Sequence, residues 1–308
     1  MLTLGGAGLL AGVGLLGRVG LLAGGAVSLA DCAGGGDAGS HVAVGSKDFT
    51  EELVLGEMYA QVLERRGLQV ERKLNLGGTQ VAMAALQRGD IDLYPEYTGT
   101  ALITVLKAPV QGDAAAVYAK VKAAYARDYA LTWLAPAPMN DTQALATTQD
   151  VARKYGLRTL SDVSRAAPKL RLGAIPEFTK RDDGLPGLQR VYGGFQFAQV
   201  RLFDIGLKYA ALLRGQVDVV VAFGTDGQIV ADKLVVFEDD KHFWPAYHVA
   251  PVVRAATLKR LPQIGPALDG LAPLLTDDVM RTLNYAVDGA KREPADVARD
   301  FLTAHKLV

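Results

Sequence analysis

Residues 85–97 read Ala-Leu-Gln-Arg-Gly-Asp-Ile-Asp-Leu-Tyr-Pro-Glu-Tyr, and residues 211–223 read Ala-Leu-Leu-Arg-Gly-Gln-Val-Asp-Val-Val-Val-Ala-Phe. Ala, Leu, Arg, Gly and Asp recur at one offset of 126 residues, and that offset lays Tyr97 on Phe223. A piece upstream repeats as well: Gly45 through Asp48-Phe49-Thr50 matches Gly173 through Glu177-Phe178-Thr179, with one residue inserted. In each copy a helical stretch stops at a glycine and an apolar run follows, ending on an aromatic. The repeat therefore predicts two similar α/β lobes with a ligand held between them.

Working outward, Val42–Val44 reads as a strand. A helix is expected from Glu51 to Arg66, because Val54, Leu55, Met58, Val62 and Leu63 keep helical spacing. Asp48 and Glu51 read as its capping pair and Gly67 as its stop. Val70–Leu74 is expected as a strand, a helix as running from Gly77-Gly78-Thr79 to Gly89, and Ile91–Tyr94 as the next strand. This alternation is the grammar of a mostly parallel sheet.

The second half repeats it. The expected elements are a strand at Leu170–Gly173, a turn at Asp182-Asp183-Gly184, a helix at Leu185–Tyr192 and a strand at Ala198–Leu202. A helix capped by Asp204 and running to Arg214 follows, then a strand at Val217–Ala222. The last has no alternation beyond Asp218, as suits a strand covered on both faces. Asp92 and Asp218 are equivalent, with an expected structural role at the helix-to-strand turn.

Beyond Arg254 the chain reads as helices punctuated by Pro262, Pro266, Pro273 and Pro294, with starts at Thr276 and Pro294. These helices have no sheet of their own, so they belong back on the first lobe. The chain then crosses between lobes near 138–141 and near 245–248. The expected organisation is an export segment (1–31), a flexible tether (32–40), lobe 1 (41–139 and 247–308) and lobe 2 (140–246).

Half of the 308 residues are hydrophobic, enough to build a core without disulfides or metal. Lys+Arg and Asp+Glu are 33 each, which argues against nucleic acid or an acidic membrane as the main partner. Four histidines show no metal spacing, and no phosphate-cradling glycine loop exists, so no cofactor and no metal are expected. Asp226, in Gly-Thr-Asp-Gly, reads as an Asx turn or cap for a helix from Gln228 rather than as a catalytic acid.

Residues 1–30 are almost wholly Leu, Ala, Gly and Val, with Arg18 the one charge. The run has the length to span a bilayer, but its glycines weaken a permanent helix. Leu29-Ala30-Asp31-Cys32 resembles a bacterial lipobox, with Asp31 as a departure. The expectation is an exported lipoprotein anchored to the membrane through Cys32; a signal peptide or signal anchor is the alternative. With one cysteine, no internal disulfide can form.

Candidate ligand contacts fall at strand C-terminal ends, where open α/β sheets place ligands. Tyr97 and Phe223 stand there as equivalents, and Tyr247 lies at the second crossing. Lys47 and Arg181 follow the first strand of each lobe. Each residue alone also reads as an ordinary core ring or a solvated charge. Together they suit a bulky organic cation bearing a carboxylate. Aromatic faces attract a quaternary ammonium through their quadrupoles, worth about 0.5–2 kcal/mol per ring, and Lys or Arg pairs the carboxylate.

The stretches Gly45-Ser-Lys-Asp-Phe-Thr-Glu-Glu, Asn75-Leu-Gly-Gly-Thr, Gly89 through Thr100, Glu177 through Gly184, Ala222-Phe-Gly-Thr-Asp-Gly, and Glu238-Asp-Asp-Lys through Arg254 occur in order. Over 42–308 the chain resembles the substrate-binding proteins of osmoprotectant ABC importers, which bind glycine betaine, choline or carnitine. The resemblance implies a type II periplasmic-binding-protein fold, two lobes closing on the ligand, and a tyrosine cage around the trimethylammonium. Tyr97 and Tyr247 match cage tyrosines. Phe223 keeps a ring where tyrosine is usual, and Gln143 replaces a further tyrosine. Lys47, Thr100 and Arg181 match polar positions that hold a ligand carboxylate, and Asp141 matches one whose backbone approaches the cation. Gln143 leaves room for a larger or more polar ligand such as ergothioneine. The implied partners are a permease with its ATPase, the receptor being an extracytoplasmic monomer. The rival readings are a receptor for another solute such as an amino acid, a sensory domain, and an enzyme on the same fold with Lys47 as its covalent site.

Overall fold

The repeat folds twice into the same unit. In a computed structural model the described residues are 39–109 and 113–308, and the expected export segment, the tether up to residue 38 and Cys32 lie outside them. The first copy runs β1 (His41–Gly45), α1 (Thr50–Arg65), β2 (Gln69–Lys73), α2 (Thr79–Arg88) and β3 (Leu93–Tyr97). A short helix, α3 (Thr98–Thr100), passes into a π-helical turn (Ala101–Val105), then come α4 (Ala114–Tyr129) and β4 (Leu131–Trp133). The chain next builds β5 (Gln143–Thr147), α5 (Gln149–Tyr155), α6 (Leu160–Ala166), β6 (Arg171–Ala174), α7 (Leu185–Tyr192), β7 (Gln199–Leu202), α8 (Lys208–Leu213), β8 (Val219–Phe223), α9 (Gln228–Ala231) and β9 (Val235–Val236). It returns through β10 (Val249–Arg254) to α10 (Ala255–Arg260), α11 (Ile264–Asp269), α12 (Asp277–Asp288) and α13 (Pro294–Ala304).

Two five-stranded sheets result, ordered β2-β1-β3-β10-β4 and β7-β6-β8-β5-β9. In each, the first three strands are parallel and the fourth is antiparallel to both neighbours. Four strands of each sheet thus run one way. The opposing strand, β10 or β5, is the one that arrives from the other sheet, so direction follows from the crossing.

The repeated residues explain why both copies fold alike. The Asp92 carboxylate accepts the Ala43 amide at 2.9 Å while its own amide donates to the Ala43 carbonyl at 2.7 Å. Asp218 makes the same two bonds to Arg171, both at 2.8 Å. These aspartates clamp the third strand of each unit to the first, which is the structural role expected of them. Beside the clamp, Gly45 and Gly173 carry no Cβ because one would lie 2.5 Å from Ile91 and 3.1 Å from Val217, themselves repeat equivalents. Ile91 and Asp92 are spent on this clamp, so β3 starts at Leu93 rather than at Ile91.

Two expected caps do not form. Phe49 occupies the N-cap of α1 without a side-chain bond. Glu51 turns away from the helix end toward Tyr97 and Asn284, and the Lys47 amide is taken by Glu52 at 2.9 Å. Asp204 caps nothing either. Its carbonyl closes a turn with Leu207, and α8 begins at Lys208.

The C-terminal helices pack against α1. Ile264, Leu268, Met280, Leu283, Val297 and Leu302 share one core with Val54, Leu55 and Met58 of α1. Each such side chain stabilises the lobe by about 1.5–3 kcal/mol on burial. The two crossings also hold each other. Asn140 bridges His248, the Asp141 amide donates to the Tyr247 carbonyl at 3.2 Å, and the Tyr247 amide donates to Asn140 Oδ1 at 2.7 Å.

Candidate ligand-binding cleft

A cavity of about 470 Å³ opens where the C-terminal ends of β3 and β8 face the paired crossings. Lys47, Tyr97, Thr100, Asp141, Gln143, Arg181, Phe223 and Tyr247, all picked from the sequence, line it together. Strand register brings the rings there. Tyr97 pairs with Val249, two residues past Tyr247, and Phe223 pairs with Gln143.

Tyr247 is seated by a glycine and an aspartate. A Cβ on Gly99 would lie 2.7 Å from two atoms of the Tyr247 ring, so only glycine lets the ring lie against α3. The Tyr247 hydroxyl donates to Asp183, whose side chain is wholly buried. Asp183 also receives Arg181 through Nε at 2.7 Å and Nη2 at 2.5 Å, and Gln143 Nε2 at 2.7 Å. The Trp244 indole donates to the Asp183 carbonyl at 2.8 Å, extending the cluster to a residue outside the ring set. Burial, then the Asp183 charge, pushes the Tyr247 hydroxyl well above the phenolic range, so Tyr247 stays a neutral donor.

On the first wall Lys47 is buried, not solvated. Its ammonium lies 2.8 Å from Glu96 and 3.6 Å from Glu52, and 4.6 Å from the Tyr97 ring centroid. Burial opposes its charge, but the two carboxylates outweigh that and raise the Lys47 pKa. Burial pushes the Glu52 carboxyl up to about 8, against the pull of Lys47. The cluster therefore holds its proton on Glu52 and pairs Lys47 with Glu96. Tyr97 donates its hydroxyl to Glu51 at 2.7 Å.

On the second wall Lys208 plays a corresponding part. Its ammonium stands 4.9 Å from the Phe223 ring and 3.2 Å from Asp226. Asp226 also accepts the Tyr209 hydroxyl and the Phe223 amide. The reading of Asp226 as a cap for the following helix is thereby corrected. Gly227 is the N-cap of α9, without a side-chain bond, because the Asp226 carboxylate turns back toward α8 and β8.

Several cavity residues escaped sequence reasoning: Glu51, Lys208, Tyr209, Thr225 and Asn284. Glu51 stood inside a quoted motif, but its side-chain direction was not legible there. Asn284 comes from α12, far along the chain, and has no local signal at all. Among the described residues no cluster of His, Cys, Asp and Glu could hold a metal ion.

Residues 40–304 match the family model for the substrate binding domain of ABC-type glycine betaine transport systems. The chain belongs to this family. It is 36% identical over 275 residues to a glycine-betaine-binding protein of Pseudomonas aeruginosa, covering 86% of this chain and 88% of that one. It is 34% identical over 260 residues to an ergothioneine transport permease/ergothioneine binding protein of Helicobacter pylori, of which it spans only 46% while 84% of this chain is covered. A crystal structure described as a glycine betaine/carnitine/choline ABC transporter superposes with a TM-score of 0.73 at 30% identity, covering 86% of this chain and 99% of that one. The family consists of non-enzymatic receptors, and this member is an extracytoplasmic substrate-binding protein with the two-lobed α/β binding-protein fold.

Proposed function

We propose that this protein captures a quaternary ammonium osmoprotectant of the choline, glycine betaine or carnitine type between its lobes and delivers it to an ABC permease driven by an ATPase. One observation carries the reading: three aromatic rings, Tyr97, Phe223 and Tyr247, from separate elements of both lobes, line a single cavity. That arrangement holds a cation that has no N–H to donate, through ring quadrupoles and exclusion of water. Gln143 fills the fourth wall. Its amide is turned toward Asp183 and lies 3.4 Å from the Tyr247 hydroxyl, so it braces a ring as well as lining the cavity. Lobe 1 comprises 41–139 and 247–308 and lobe 2 comprises 140–246, with the paired crossings as the hinge. The receptor works as a monomer tethered through a lipid on Cys32.

Isothermal titration with glycine betaine, choline, carnitine, proline betaine and ergothioneine tests this. At least one quaternary amine is expected to bind with micromolar affinity. Silence from all five at millimolar concentration sinks the reading, and binding of an amino acid instead moves the protein to another solute. Closure is expected to shrink the radius of gyration in solution scattering on saturation.

A further inference from the structure

The charges around the cavity do not balance, and the imbalance has one sign. Its three cationic side chains are each paired already. Lys47 lies 2.8 Å from Glu96, Arg181 grips Asp183 through two nitrogens, and Lys208 lies 3.2 Å from Asp226. Of the carboxylates lining the cavity beyond Asp226, Asp48, Glu177, Asp204 and Asp288 are exposed or half-buried, and Glu51 and Asp141 are the buried ones that remain. Both line the cavity, at 3% and 8% exposure. Glu51 accepts only neutral donors, the Tyr97 hydroxyl at 2.7 Å and the Asn284 amide at 2.9 Å. Asp141 accepts only the Thr225 hydroxyl at 2.6 Å and the Thr225 amide at 3.2 Å. Among the described residues neither has a cation within ion-pairing distance.

A second observation points the same way. Asn284 is 3% exposed and lines the cavity, yet its Oδ1 has no hydrogen-bond partner. Its amide cannot be turned round, because Nδ2 serves both Glu51 and the Thr225 carbonyl, which are acceptors. This wall thus offers two carboxylates without a counter-charge and one carbonyl without a donor. The groups facing it are Tyr97 from β3, Asn284 and Asp288 from α12, Thr225 and Asp226 from the loop after β8, and Lys208 with Tyr209 from α8. Burial first raises both carboxyls; repulsion from Glu51 and then Asp226 adds to it at Asp141, and repulsion from Asp226 adds to it at Glu51. A buried carboxylate without a partner is costly until a cation or a proton joins it.

We infer that Glu51 and Asp141 make this site selective for a quaternary ammonium alcohol of net positive charge, the choline type, over zwitterionic betaines. The inference rests on the quaternary-amine reading above. A choline-type ligand supplies the missing charge and a hydroxyl for the unpaired acceptors. A zwitterion brings no net charge, and its carboxylate meets Lys47 and Arg181 only after displacing their present partners.

The test is titration calorimetry of the full chain with choline and with glycine betaine, at pH 8 and pH 5.5. Choline is expected to bind about tenfold or more tightly than glycine betaine at pH 8. Because both carboxyls are raised, lowering the pH is expected to shrink that ratio as they take up protons, and this arm needs no variant. Glu51→Gln and Asp141→Asn, with thermal melts to confirm folding, each lower choline affinity about fivefold or more while changing glycine betaine affinity less. Glycine betaine binding as well as or better than choline overturns the inference, as does a ratio that neither pH nor either variant moves. If neither compound nor any other quaternary amine binds, the underlying reading fails, and the two failures are therefore distinct.

Discussion

Replacing Glu52 with glutamine should change how stability depends on pH. Lys47, Glu52 and Glu96 form one buried cluster at 3%, 0% and 0% exposure. One ammonium faces two carboxyls, so one proton stays behind on Glu52, whose carboxyl is raised from 4.5 to about 8. In the unfolded chain that proton leaves near the ordinary glutamate value. Between these limits the folded state binds one more proton than the unfolded state, so the Glu52 contribution weakens as pH rises. The slope is about 1.4 kcal/mol per pH unit. Across pH 5.5 to 7.5 it amounts to about 3 kcal/mol. Below the unfolded value both states are protonated and above about 8 both are ionised, so the difference is flat outside the window. Glu52→Gln keeps the shape of the neutral acid and still accepts the Lys47 amide, but cannot titrate. Titrating groups that do not feel the Glu52 charge are common to both proteins and cancel in the difference, and Lys47, pulled by Glu96 as well, stays charged across this window. Urea unfolding at pH 5.5, 6.5 and 7.5 should show the variant gaining on the wild type by about 3 kcal/mol over the series. A wild-type-minus-variant difference that does not change with pH would refute the placement of the proton on Glu52.

Gly99→Ala should drive the Tyr247 ring from the cavity, costing about 1–3 kcal/mol in stability and weakening ligand binding together; a melt and a titration on one sample check it. Asp183→Ala strands the Arg181 guanidinium and frees the Tyr247 hydroxyl, and denaturant unfolding should register a loss of about 3–5 kcal/mol. Asp92→Ala and Asp218→Ala remove equivalent clamps, each lowering stability by about 1–3 kcal/mol. Whatever stays folded should keep its ligand affinity, which separates clamp from cavity. Trp244 hangs from the Asp183 carbonyl, so saturating ligand should shift tryptophan emission; a spectrum unchanged by ligand would mean that the Asp183 cluster does not move on closure.

The sequence by itself determined the duplicated α/β unit and the aromatic position at the end of each third strand. These were legible because they are local patterns: a helical period, a glycine stop, an apolar run, and one offset that carries Ala85 to Ala211 and Tyr97 to Phe223. Eight of the residues lining the cavity were legible for the same reason, being carried by motifs. Only the tertiary structure decided what each charge does. Lys47 and Arg181 read as free cations for a ligand carboxylate, and folding paired them with Glu96 and Asp183. Asp226 read as a cap, and folding turned it to Lys208 and Tyr209. Asn284 had no signal until α12 was laid against α1. Backbone periodicity is written in neighbouring residues, whereas the partner of a buried charge is whichever opposite group the fold brings within about 4 Å, at any distance along the chain.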